Sequence, residues 1–146
     1  MQGKVLELFI TKADEKKTRI NVTSIEVDEQ GIVNDKFYGK DSMRAILITS
    51  DTSYKLTKEN GIDIKTGSLG ENVLIDLSPY HLVHGDRLTI GNVTLEITQN
   101  CTLCQGLSSV DKKLPKLLKN DRGIFAKVIS GNSEIYLDDK VEILKH

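Results

Sequence analysis

The run LTIGNVTLEIT, residues 88–98, sets two segments of alternating apolar and polar residues on either side of Gly91-Asn92. Alternation with period two puts every second side chain on one face of a strand, and a Gly-Asn pair can supply the positive φ angles of a two-residue turn. The segment therefore reads as a β-hairpin, and a hairpin needs neighbours because two strands alone are marginal in water. Candidates are plentiful: KVLELFI at 4–10, RAILIT at 44–49, NVLIDL at 72–77, GIFAKVI at 123–129 and DKVEIL at 139–144. Each is short, rich in β-branched residues, and bounded by Gly, Asn, Asp or Ser.

Helical signals are fewer. Asp51 to Asn60 reads as a helix opened by Ser50 or Asp51 and stopped by Gly61, and Pro115 to Lys119 as a single turn with proline first. The chain shows no internal repeat, low-complexity tract or linker. One mainly-β domain over residues 1–146 is expected, and many short strands favour a barrel or sandwich over a doubly wound sheet.

Twenty Lys and Arg nearly balance 21 Asp and Glu, so no global field drives the protein onto nucleic acid or a membrane surface. An anionic ligand must be held by local groups. No apolar run approaches the roughly 20 residues that span a bilayer, and the start, MQGKVLELFITKADEKK, alternates like a strand and then turns charged. A cytoplasmic location is expected.

Both cysteines fall in EITQNCTLCQG, as Cys101 and Cys104. In a reducing compartment they are expected to remain thiols without a mutual disulfide. Two cysteines cannot complete a four-thiolate zinc site, and His81, His84 and His146 lie at no usual ligand spacing, so no metal ligand is assigned. A thioredoxin-like pair opens a helix after a strand, where the helix dipole lowers the thiol pKa. Here the pair follows a hairpin strand and leads into QGLSSVDKK, a poor helix opening. The stretch therefore reads first as one working thiol with a bystander or as a thiol that is only a small buried hydrophobe, with a redox pair as the lesser reading.

Three segments in order resemble the MOSC domain, the family named for the C-terminal domain of molybdenum cofactor sulfurase. GIVNDKFYGKDSMRAILI (31–48) is similar to the family's run of glycine, acidic residue, glycine and arginine before a strand. GSLGENVLIDL (67–77) looks like its glycine-x-x-glycine-glutamate-asparagine signature. GDRLTIGNVTLEITQNCTLCQGL (85–107), followed by RGIFAKVISG (122–131), looks like its hairpin, cysteine and closing strand. The resemblance implies a twisted β-barrel with a few short helices, in which Cys104 is the working cysteine and Cys101 the extra thiol. Two places depart from the pattern. Phe37 stands where many relatives have histidine, and Thr102-Leu103 replaces a basic residue often found before the cysteine.

The same resemblance implies binding of molybdenum cofactor, with Cys104 accepting sulfur as a persulfide from an external cysteine desulfurase and passing it to the molybdenum cofactor or another metal-sulfur centre, a molybdoenzyme or cofactor-assembly protein being the acceptor. Pyridoxal phosphate belongs to that separate desulfurase and is not expected here. Relatives with other roles imply two alternatives: a molybdenum-dependent reductase using the cysteine as metal ligand, and a binding or delivery module without turnover. A thiolate carrier needs nearby cations, for which Lys112, Lys113, Arg122 and Arg44 are candidates.

Gly67, Gly70, Glu71 and Asn72 read either as a structural glycine loop or as a nest of amides for a phosphate or pterin. Arg44 is a charged strand end or a bidentate anion ligand. Asp35 and Arg122 complete the expected cofactor-binding set, each also readable as a salt-bridge partner.

Overall fold

The computed structural model describes residues 2–12, 19–101, 111–119, 121–131 and 133–144. Strands are β1 (Gln2–Thr11), β2 (Arg19–Val22), β3 (Ser24–Asp28), β4 (Gly31–Ile32), β5 (Ile46–Ser50), β6 (Val73–Ile75), β7 (Arg87–Ile90), β8 (Val93–Asn100), β9 (Ile124–Ser130), β10 (Ser133–Tyr136) and β11 (Lys140–Leu144). Two short helices, α1 (Asp51–Glu59) and α2 (Leu114–Leu117), and a 3₁₀ turn at Ser42–Arg44 complete the description.

Seven strands close into a barrel in the order β11-β7-β8-β9-β5-β6-β1, with β1 pairing back onto β11 and, farther along the edge opposite β6, with β2. The fold is thus mainly β with few helices, the expected architecture. Strand β1 is long enough for three partners: residues 2–4 pair with β11, Val5 to Leu8 with β6, and Leu8 to Thr11 with β2. A register shift between Val5 and Glu7 bends it between these tasks. Strands β5 and β6 run parallel and are joined by a crossover that contains α1.

The hairpin of β7 and β8 pairs Ile90 with Val93 across Gly91-Asn92. Only Gly91 of the two takes positive φ, at 59°, the pattern of a type II′ turn, whose twist suits a hairpin. Its inward side chains Leu88, Ile90, Val93, Leu95 and Ile97 are fully buried, with Ile46, Ile48, Val73, Ile75, Ile124 and Ala126 from the facing strands. A three-stranded sheet, β10-β3-β4, adds Ile25, Val27, Ile32 and Ile135 to the same core.

Helix α1 starts where Ser50 accepts the Thr52 amide at 3.2 Å and stops before Gly61 at φ 78°. Proline lies in the first turn of α2, where its missing N–H has no cost. Leu114 and Leu118 pack with Ile62 and Leu69 in a second, smaller core. Among the described residues no helix is long and apolar enough to cross a membrane.

Candidate functional site

Strand β5 is buried on both faces. Ile46 and Ile48 point into the barrel, so Leu47 and Thr49 face outward by alternation. Leu47 pairs directly with Phe125 of β9, whose neighbours Ile124 and Ala126 are likewise core. Cys101 follows β8 immediately, its amide donating to the Gly123 carbonyl at 3.0 Å, and its side chain packs with Leu47 and Phe125. These three residues floor a cleft of about 560 Å³ on the outside of the barrel wall.

The walls come from several stretches far apart in the chain. Thr11 and Arg19 stand at the β1–β2 ends, Lys36 and Phe37 in the turn after β4, Asp41 and Arg44 at the 3₁₀ turn, and Gly70, Asn72 and Arg122 opposite. Among the described residues four cations meet a single carboxylate there, so their part of the cleft is locally positive although the chain is nearly neutral. The Arg44–Asp41 pair is loose, at 4.0 Å and half-exposed.

Of the residues singled out in the sequence, Arg44, Gly70, Asn72 and Arg122 come together on this cleft. Arg44 does not open a strand; it ends the 3₁₀ turn, whose start is fixed by Asp41 accepting the Met43 amide at 2.9 Å. Arg122 donates through Nε to the Leu69 carbonyl at 3.2 Å, and its own carbonyl accepts from Thr49 Oγ1 at 2.7 Å. Next to it Ser53 donates to the Asp121 carbonyl and meets the Tyr80 hydroxyl at 2.6 Å. Burial pushes that Tyr80 phenol up to about 12, so it stays a donor.

Asn72 faces the cleft yet uses its amide on the backbone, accepting from the Leu47 amide at 3.0 Å and donating to the Phe9 carbonyl at 3.3 Å. Asp35 and Glu71 are buried carboxylates that organise the lining from behind. Asp35 accepts the Thr11 and Phe37 amides at 2.8 and 3.1 Å. Glu71 accepts from the Tyr54 hydroxyl at 2.5 Å and the Gly67 amide at 3.1 Å through one oxygen, while its other oxygen is buried without a partner. Burial raises the Glu71 pKa above the ordinary carboxylate value, against the Tyr54 and Gly67 hydrogen bonds and the Arg19 charge. Gly67 itself holds φ 90° with Phe9 so close that a Cβ would lie 2.9 Å from the ring, so the loop demands glycine there.

Arg19, Lys36 and Cys101 were not singled out from the sequence as site residues. Arg19 donates to Thr11 Oγ1 at 2.9 Å and to the Glu71 carbonyl, and its guanidinium lies 5.6 Å from the Phe9 ring centre. Burial lowers its pKa, with Glu71 and Asp35 opposing. The alternation RINV followed by SIEV, with Ile20, Val22, Ile25 and Val27 at every second place within each run, is the signal that could have found β2 and so Arg19. Lys112 and Lys113 are exposed just ahead of α2. Cys104, and with it any bond to Cys101, lies outside the described residues. Among the described residues no group of three or more His, Cys, Asp or Glu could hold a metal ion.

A family model for the MOSC domain matches residues 34–142. The YUAD protein from Bacillus subtilis superposes with a TM-score of 0.85 at 19% identity, covering 100% of this chain and 97% of that one. YiiM from Escherichia coli gives a TM-score of 0.72 at 20% identity over 100% of this chain and 71% of that one. YiiM from Geobacillus stearothermophilus gives 0.73 at 16% over 98% and 75%. No curated protein matches the sequence.

Proposed function

The chain belongs to the MOSC domain family, and from that membership we propose that it handles molybdenum cofactor, with Cys104 carrying sulfur as a persulfide. The observation that carries the reading is the convergence of Arg19, Lys36, Arg44 and Arg122 on one cleft whose floor ends at Cys101. Cys104 follows three residues later, and covalent length alone ties its Cα to within about 11 Å of that of Cys101.

The lining suits the cofactor's chemistry. A volume of about 560 Å³ lies within the usual range for a small-molecule site. Arg44 and Arg122 offer planar forks for phosphate, with Arg19 behind them; Gly70, without a side chain, leaves room beside Arg122, but its amide already donates to the Gly67 carbonyl at 3.1 Å, so the loop is no nest of free amides. Bound there, molybdenum cofactor would supply a thiophilic metal centre as the destination of the sulfur. The cations would also favour the thiolate form of a cysteine brought to the cleft.

Sulfur loading needs no redox partner. The Cys104 thiolate attacks the outer sulfur of a persulfide on an external cysteine desulfurase. The donor's S–S bond breaks as a new one forms on Cys104, the donor leaves as a thiolate, and the proton lost by Cys104 returns to it. The acceptor is a molybdoenzyme or cofactor-assembly protein. Binding and delivery without turnover is the second reading, favoured by the absence of histidine from the described lining.

Incubation with a cysteine desulfurase and free cysteine, followed by intact-mass spectrometry, tests the carrier. Wild type and Cys101→Ser gain one sulfur, and Cys104→Ser gains none. Loading retained by Cys104→Ser removes the carrier reading; cofactor bound by a chain that never loads establishes the second.

A further inference from the structure

Phe37 is 48% exposed although it lines the cleft, and its backbone is held firmly. Asp35 is buried to accept the Phe37 amide at 3.1 Å and the Thr11 amide at 2.8 Å, and the Lys36 amide donates to the Thr11 carbonyl at 2.8 Å. The Lys40 amide closes the turn onto the Phe37 carbonyl at 3.1 Å. A fixed backbone thus holds an aromatic ring about half exposed on the cleft wall, within reach of whatever the cleft binds. The Lys36 ammonium lies 4.7 Å from the ring centre, within cation–π range, which draws on one face of the ring. A flat ligand would use the other face, with Arg44 and Arg122 in the same cleft to take a negative charge.

We propose that Phe37 is a stacking platform that makes the cleft selective for a planar heteroaromatic anion over a saturated anion of equal charge. The inference deepens the cofactor reading above and rests on it, since it names the part of the ligand that the ring contacts. Stacking of a heteroaromatic base on an aromatic side chain contributes about 1–3 kcal/mol by alanine substitution, which corresponds to roughly 5- to 150-fold in affinity. An aliphatic side chain of similar size supplies contact area without the ring's quadrupole.

The test uses the full chain and two probes: pterin-6-carboxylate, followed by its own fluorescence, and cyclohexanecarboxylate, followed by calorimetry. The pterin binds wild type and Phe37→Tyr within about twofold of each other, and binds Phe37→Ala and Phe37→Leu at least fivefold more weakly. Cyclohexanecarboxylate binds wild type and Phe37→Ala equally. Unchanged melting temperatures, expected for a residue this exposed, show that the variants are folded. The proposal is overturned by equal pterin affinity in wild type and Phe37→Ala, by parallel loss of both probes, or by no pterin binding to wild type. Sulfur loading at Cys104 is a separate readout, so the carrier reading can fail while pterin selectivity stands, and the reverse.

Discussion

The Tyr54 hydroxyl of α1 donates to Glu71 Oε2 at 2.5 Å while itself accepting the amides of Gly67 at 2.9 Å and Leu69 at 3.3 Å. One phenol thereby binds both ends of the turn that delivers Gly70 to the cleft. Burial, then the Glu71 charge, raises its pKa, so it keeps its proton throughout the stable pH range. Tyr54→Phe leaves the Leu69 amide and one Glu71 oxygen short of a partner and should destabilise the fold by about 1–3 kcal/mol. Urea unfolding checks this, and an unchanged midpoint would mean that water replaces the phenol.

Glu71 gives stability a pH dependence with a definite sign. Its carboxyl binds a proton more tightly folded than unfolded, because its folded pKa is raised above 4.5. The contribution is full below 4.5 and is lost as pH climbs through the folded value. Glu71→Gln cannot titrate, so its urea midpoint should gain on that of wild type as pH rises from about 4.5 toward neutrality. The groups facing this carboxyl, Tyr54 and Arg19, do not change charge in that window. A constant offset between the two proteins would show that the carboxyl does not titrate in the fold.

Asn72 ties β5 to β1 across the start of β6. Asn72→Ala strands two backbone groups, the Leu47 amide and the Phe9 carbonyl, in a buried place. The expected loss is about 2–4 kcal/mol, seen as a lower denaturation midpoint. Asn72→Asp keeps an acceptor for Leu47 and should recover part of it.

Arg44→Ala separates binding from folding. Its half-exposed pair with Asp41 is worth less than about 0.5 kcal/mol, so melting should not change. Affinity of the cleft for an anion such as pterin-6-carboxylate should fall, and the salt dependence of binding, read by titration at several ionic strengths, should become shallower. An identical salt profile would place Arg44 outside the binding field.

Gly123 sits where β9 meets β5. A Cβ there would lie 2.8 Å from Leu47 Cδ1, 2.9 Å from Thr49 Oγ1 and 3.1 Å from the Ile48 carbonyl. Gly123→Ala should cost about 1–3 kcal/mol by overpacking and disturb the neighbouring Arg122. Thermal unfolding reads the first effect and anion titration the second.

The barrel strands were legible because their signals are local. Gly91-Asn92 between two alternating runs predicts its hairpin, and Ser50 and Gly61 bound α1 from sequence alone. Strands β2, β3, β4 and β10 were not anticipated, being short pieces in polar surroundings whose pairing depends on distant partners. The site divides in the same way. Arg44 and the Gly70–Asn72 loop stand out by residue type, but the roles of Glu71 and Asp35 as buried acceptors depend on contacts with Tyr54, Gly67, Thr11 and Phe37. The RINV alternation could have marked β2, but Arg19's place at the cleft follows only from β2 docking on the far end of β1.

The barrel closes by pairing Gln2 with Glu142, the first described strand with the last. Loop-closure entropy makes so remote a contact late and slow to form. A chain emerging from the ribosome therefore has β1 and β7 as open edges until β11 arrives, and such edges invite pairing with other chains. Synthesis of β11 thus becomes the moment at which a vulnerable nascent chain turns into a sealed cylinder.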